Sequence, residues 1–278
     1  SGDKVLAPGP HYPPYMAYPQ MYGAKTVEYA LDSDQGWDID TDDIRRKMND
    51  TVKFIVIVNP NNPTGNVAKP STIMEVLSIA KDWPNCTIIA DEIYDALDFS
   101  GDQRSVASLS DEVPVVTLNG VSKVHFAPGW RIGYMAFFDP KRTLQAPRDG
   151  AERILRSRLC ASTPAQYGYL AGLNHDRLWL KERLRTIERR VDLCMNRIEG
   201  IEGLSCNKPG GAFYLFPKID NPSKYGSDKK FVLDLLHEEH VLVVHGSGFS
   251  PRYGSGHFRL VALAPEDLLN EAFDRIDR

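Results

Sequence analysis

Apolar positions in the first half of the chain gather into short, unbroken runs. Residues 53–58 read KFIVIV, 86–92 CTIIADE, 113–120 VPVVTLNG and 133–138 GYMAFF. Runs with so little alternation predict strands buried on both faces, as in a parallel sheet. Between the first two, residues 70–83 read PSTIMEVLSIAKDW. Pro70 suits a first helical turn and Ser71 a cap, and Ile73, Val76, Leu77 and Ala80 recur at helical spacing. Strand, helix and strand at this separation predict a right-handed crossover.

The pattern then changes. From Arg177 to about residue 199, RLWLKERLRTIERRVDLCMNRIE carries an apolar stripe and a charged face, which predicts a long amphipathic helix. Beyond it, GAFYLFP, KKFVLDLLHEEH, VLVVHG, HFRLVAL and PEDLLNEAFDRI alternate strand-like and helix-like segments. The pattern predicts an α/β protein with a larger domain at residues 1–185 and a smaller one at 186–278. No internal repeat or low-complexity segment interrupts it.

Composition narrows the function. The 278 residues are 42% apolar and 25% charged, with a net charge of −4 and no basic block. That argues against nucleic acid or an anionic membrane as partner. No run of about 18 apolar residues exists, so no membrane span is expected. The opening SGDKVLAPGP matches neither a secretory signal nor a transit sequence. Cys86, Cys160, Cys194 and Cys206 are widely spaced and form no CxxC pair, so zinc and redox motifs lack support. Buried thiols in a reducing cytoplasm are the expectation. His245 and His257 lack a third ligand at metal-site spacing, so no metal is expected.

Candidate chemistry sits where strands end, because ligands of open α/β sheets bind beyond the carboxyl ends of their strands. The first run leads into Asn59 to Gly65, NPNNPTG; the second into Asp91 and Tyr94; the third into Ser122 and Lys123. Each has a plainer reading. NPNNPTG is also a turn sequence, Asp91 a possible helix cap, and Lys123 an ordinary surface lysine. Those readings do not account for an amide, a carboxylate with a phenol, and an amine falling at equivalent positions in order.

NPNNPTG, DEIYD and SKVHFAPGWRIGY together resemble the signature motifs of the fold type I, pyridoxal-phosphate-dependent aminotransferases of class I and II, the aspartate aminotransferase superfamily. The resemblance runs over essentially the whole chain. APGPHYPPY, EVPVVTLNGVSK, RLCASTPAQ and LVVHGSGF look most like alanine (glutamate–pyruvate) aminotransferases of the archaeal type. It implies a mostly parallel central sheet flanked by helices, with a smaller C-terminal α/β domain. It also implies pyridoxal 5'-phosphate as cofactor, amino-acid and 2-oxo-acid substrates, and a homodimeric parent.

Residue by residue, the resemblance implies that Lys123 forms the Schiff base and moves the proton. Burial and cations such as Arg131 would lower its pKa for that task. Asp91 would contact the pyridine nitrogen, and Tyr94 and Asn62 the ring oxygen. Tyr12 would stack on the ring, Ser122 and Arg131 would hold the phosphate, and Arg259 would grip the substrate carboxylate with Asn62 beside it. Gly129 and Gly133 would allow close backbone approach. Gly120 stands where many relatives have serine. Aspartate, aromatic or kynurenine transamination is the nearest alternative, and a non-catalytic module of the same fold another. In the family, an N-terminal arm, part of the small domain and a glycine-rich phosphate loop precede the segment that matches here. A truncated or short form, with weakened cofactor binding and turnover reduced or absent alone, is therefore the expectation.

Overall fold

The computed structural model describes residues 2–101, 103–176 and 178–278. Its first half runs β1 (Lys4–Gly9), α1 (Pro14–Met21), β2 (Lys25–Asp32), β3 (Asp38–Ile39), α2 (Thr41–Lys47), β4 (Val52–Val58), α3 (Pro70–Lys81), β5 (Thr87–Asp91), β6 (Val115–Gly120) and β7 (Gly133–Phe138). These strands make one seven-stranded sheet in the order β3-β2-β1-β4-β5-β6-β7. The five from β2 to β6 are parallel; β3 and β7 pair antiparallel at the two edges. From β1 the chain first steps to β2 on one side, then returns to lay β4 on the other. The connections therefore diverge at the β1/β4 boundary and leave a crevice beyond the carboxyl ends.

Central strands read as solid apolar runs because both faces are covered. In β4, Ile55 and Ile57 join the core under α3, which buries Ile73, Val76, Leu77, Ile79 and Ala80. Val56 and Val58 point the other way, to a small cluster with Val5 against which Tyr15 packs. Alternation along the strand thus places Tyr15 on the face opposite α3.

The second half runs α4 (Gln145–Arg158), α5 (Thr163–Asn174), α6 (Leu178–Glu199), β8 (Leu204–Ser205), β9 (Tyr214–Leu215), β10 (Lys218–Ile219), α7 (Asp228–Glu238), β11 (Val244–His245), β12 (Phe258–Val261) and α8 (Glu266–Ile276). β12 is the middle strand of a three-stranded sheet, β11-β12-β9. One apolar cluster joins the halves: Tyr94, Leu97 and Val124 pack with Ile187 and Val191 of α6, Phe213, Leu260 and Phe273. That cluster fixes the strand-end loops against β9 and β12.

Several expectations need correction. Ser71 does not cap α3; Lys69 holds that position and Pro70 is the first helical residue, because proline has no N–H to be satisfied there. β7 is not buried on both faces. It is the antiparallel edge strand, and Gly133 to Ala136 are exposed. Arg177, read as the start of the long helix, lies outside the described residues. Cys86 and Cys194 are buried, but Cys160 is exposed and Cys206 intermediate. β1, β2 and β3 were not read as strands, since β1 carries Pro8 and its apolar run is short. Among the described residues no helix is long and apolar enough to cross a membrane, and no His/Cys/Asp/Glu cluster could hold a metal.

Gly133 faces Gly120 across β6 and β7, where a Cβ would lie 2.7 Å from the Asn119 carbonyl oxygen. Gly129, expected to serve the same purpose, faces open space. Gly133→Ala should therefore cost about 1–3 kcal/mol in urea unfolding, while Gly129→Ala should stay within about 0.5 kcal/mol. Equal effects would contradict the close backbone approach at β7.

Candidate functional site

The loop after β4 spends most of its polar groups on itself. Asn59 Oδ1 accepts from Ala68 N at 2.9 Å, and Asn61 Oδ1 accepts from Thr64 Oγ1 at 2.9 Å. It is a turn, as its composition says. Asn62 is the exception. Its side chain is 5% exposed, and Oδ1 accepts from Arg259 Nη1 at 2.8 Å. The turn therefore presents one amide to a guanidinium on β12, 197 residues away.

At the end of β5 two neighbouring acids point apart, as strand alternation requires. Glu92 turns back into the protein and accepts from Val106 N at 2.8 Å and Ser105 Oγ at 3.1 Å. Asp91 points outward. It accepts from Ile93 N at 3.2 Å and from Tyr15 Oη at 2.5 Å. No helix follows for Asp91 to cap. Three residues on, Tyr94 Oη lies 2.8 Å from Tyr214 Oη of β9, and both phenols are buried.

β6 delivers Ser122 and Lys123. Lys123 Nζ sits 5.9 Å from the Tyr94 ring centroid and 5.8 Å from that of Phe213. A short turn at Pro128–Trp130 ends on Arg131, whose φ of 51° is left-handed. Arg131 is exposed, and its Nη1 donates to Pro128 O at 2.7 Å. β12 supplies Arg259, whose guanidinium carbon lies 4.6 Å from the Tyr214 ring and 4.8 Å from the Phe249 ring. Two π faces hold it in place. Arg259 Nε is buried with no hydrogen-bond partner among the described residues.

All eight sequence-predicted residues, Tyr12, Asn62, Asp91, Tyr94, Ser122, Lys123, Arg131 and Arg259, line one cavity of about 390 Å³. Val58, Ile93 and Leu118 add apolar wall. The cavity lies beyond the carboxyl ends of β1, β4, β5 and β6. Two groups that touch this constellation were missed. Tyr15 had a visible signal, a second tyrosine three positions after Tyr12 in the same HYPPY. Tyr214 had none, because its role comes from a pairing with Tyr94 120 residues away.

The electrostatics separate the groups. Burial, then the positive charge of Arg259 and less of Arg131, lowers the Lys123 pKa, while Asp91 opposes. Burial raises the Asp91 carboxyl, opposed by Tyr15, the Ile93 N–H and Lys123. Burial, then Tyr214 and Asp91, raises the Tyr94 phenol, which stays protonated. The cavity thus holds an amine that deprotonates more easily than usual, a retained phenol proton and a carboxylate acceptor. Such perturbed groups in a cleft suit proton transfer at a bound substrate.

Comparison with known proteins follows the same lines. A family model for aminotransferase class I and II matches residues 1–276. The chain is 39% identical over 282 residues to the glutamate-pyruvate aminotransferase AlaA of Haemophilus influenzae, covering 100% of this chain and 69% of that protein. It is 35% identical to an alanine aminotransferase of Mycobacterium tuberculosis, over 99% of this chain and 65% of the relative. The solved alanine aminotransferase from Pyrococcus furiosus superposes with a TM-score of 0.95 at 48% identity, covering 99% of this chain and 70% of that one.

The raised carboxyl of Asp91 carries a stability cost with a definite sign. Its folded pKa lies above the unfolded value, so the folded protein binds the proton more tightly. Stability is then lost as pH rises through the folded pKa. Asp91→Asn in cofactor-free protein should therefore melt higher than wild type at pH 7. The gain should vanish below about pH 4, where the aspartate is protonated in either state. Circular-dichroism melts across that range read it. A variant that melts lower at pH 7 would mean the hydrogen bonds to Asp91 outweigh its burial.

Proposed function

The chain belongs to the class I and II aminotransferases, and from that premise we propose that it moves an amino group between an L-amino acid, alanine favoured, and 2-oxoglutarate, using pyridoxal 5'-phosphate. The observation that carries this reading is the single cavity shared by Lys123, Asp91, Tyr94, Asn62, Arg131 and Arg259. The relatives named above as alanine or glutamate-pyruvate aminotransferases support the choice of substrate pair.

The residues present suit the cofactor. The cavity offers a depressed amine, an acid, a phenol, a hydroxyl and two guanidiniums, and the buried donor Arg259 Nε has no partner among the described residues. Its volume of about 390 Å³ lies in the range of small-molecule sites. Pyridoxal phosphate supplies a reactive aldehyde and an electron-withdrawing pyridine ring.

The chain supplies the rest. Ser122 and Arg131 would hold the phosphate, the guanidinium offering a planar fork of donors. Asp91 would hold a proton on the ring nitrogen; its bonds from Tyr15 and the Ile93 N–H keep its carboxylate oriented. Tyr94 and Asn62 would bind the ring oxygen, and Tyr12 would cover the ring. Arg259, clamped by Tyr214 and Phe249, would bind the substrate carboxylate and so fix where the α-hydrogen points. Lys123 Nζ, neutral in a larger fraction of molecules than an ordinary lysine, would take that hydrogen and return it.

The same proposal assigns residues 1–185 to the cofactor-holding unit and 186–278 to the smaller one, in a cytoplasmic homodimer. β7, α4 and α5 expose Tyr134, Met135, Ile154, Leu155, Tyr167 and Leu170, an apolar face that a second copy could cover.

Protein supplied with pyridoxal phosphate should become yellow, and borohydride should fix the cofactor mass on Lys123. Lys123→Ala should abolish the visible band and lower turnover by at least roughly 10²-fold. With 2-oxoglutarate as acceptor, alanine should outpace aspartate and tyrosine as donor. A protein that stays colourless in excess cofactor overturns the reading; a faster aspartate or tyrosine reaction overturns only the substrate choice.

A further inference from the structure

Tyr94 and Tyr214 form a buried pair of phenols, 3% and 4% exposed, with hydroxyl oxygens 2.8 Å apart. Each hydroxyl has one proton to give and can accept another. The bond between them uses only one of the two protons, so its direction matters. If Tyr94 donates, its proton is spent on Tyr214. If Tyr214 donates, the proton of Tyr94 is free to turn elsewhere. Tyr214 Oη has no other hydrogen-bond partner among the described residues.

Position decides what the freed proton could reach. Both residues line the cavity that holds Lys123 and Asp91. The Tyr214 ring centroid lies 4.6 Å from the Arg259 guanidinium carbon, and that contact needs no hydroxyl. A phenylalanine would fill the same space. A buried hydroxyl in place of hydrogen is costly unless it is bonded, and here its bond goes to Tyr94.

We propose that Tyr214 is a positioning residue: its hydroxyl donates to Tyr94 Oη, which turns the Tyr94 proton into the cavity and onto the cofactor's ring oxygen. The inference rests on the pyridoxal-phosphate reading of the site and adds to it the residue that orients the Tyr94 hydroxyl. Donation into Tyr94 also polarises its O–H, so Tyr94 becomes the stronger donor. One side chain thereby braces the carboxylate-gripping arginine with its ring and aims the phenol with its hydroxyl.

The pH titration of the bound cofactor's visible absorption tests this, with activity left aside. A donor to the ring oxygen favours its anionic form and lowers the titration midpoint. Tyr94→Phe should therefore move the midpoint up. Tyr214→Phe, which keeps the ring on Arg259, should move it up by a smaller amount, on the order of a tenth to a third of that shift. The double variant should match Tyr94→Phe alone, because Tyr214 acts only through Tyr94. Thermal melts check that each variant is folded. A Tyr214→Phe midpoint equal to wild type, with Tyr94→Phe shifted, overturns the proposal and leaves the cofactor reading intact. Additive shifts in the double variant overturn it too, since Tyr214 would then act by another route. A wild-type protein with no visible band overturns the cofactor reading, and the role of Tyr214 falls with it.

Discussion

A lysine is useful as a base near neutrality only if its charged form is made costly. Here three things do that at Lys123: partial burial, the guanidinium of Arg259 and, least of the three, Arg131. Asp91 works against them, and its own charge is also disfavoured by burial. The site is a balance between one amine and one acid opening into the same cavity. If they faced different sides of the sheet, the proposed chemistry would have no place to happen.

The sheet topology creates that shared opening. Parallel β1, β4, β5 and β6 bring four carboxyl ends to one edge, and the chain's divergence between β1 and β4 keeps the space between them clear of connections. Tyr12 and Tyr15 follow β1, Asn62 follows β4, Asp91 ends β5, and Lys123 follows β6. The C-terminal strands close the cavity from the other side. Arg259 reaches Asn62 by a hydrogen bond, and Tyr214 reaches Tyr94 by another. The shared apolar cluster of Tyr94, Val124, Phe213 and Leu260 holds those approaches rigid. Placing Arg259 on the middle strand of a small sheet, with aromatic faces on two sides, restricts its side chain before any ligand arrives.

These arrangements have a cost in stability. Asp91, Glu92 and Tyr94 are ionisable groups taken out of water, and each has its charged form disfavoured by burial. Glu92 recovers part of that through two hydrogen bonds from the Ser105–Val106 segment, which ties down the long loop between β5 and β6. Asp91 recovers part through Tyr15. One acid serves the loop and the other serves the cavity, although they are adjacent in the chain.

Much of this was legible in the sequence by itself. Solid apolar runs marked β4, β5 and β6, because strands covered on both faces tolerate few polar residues. The amide, acid and amine that follow them marked the cavity, because strand ends of a parallel sheet must meet. Other features were not legible, and for a common reason: they depend on neighbours far away in the chain. GYMAFF reads like a central strand, but an edge position exposes it. Gly129 and Gly133 look alike in sequence, but only Gly133 has a backbone oxygen against it. Cys160 is as apolar as Cys86, yet it is exposed. Tyr214 is one more aromatic in GAFYLFP until the fold sets its hydroxyl against Tyr94. Local composition determines what a segment can become; packing across the chain decides which atoms meet, and hydrogen bonds and pKa shifts belong to those meetings.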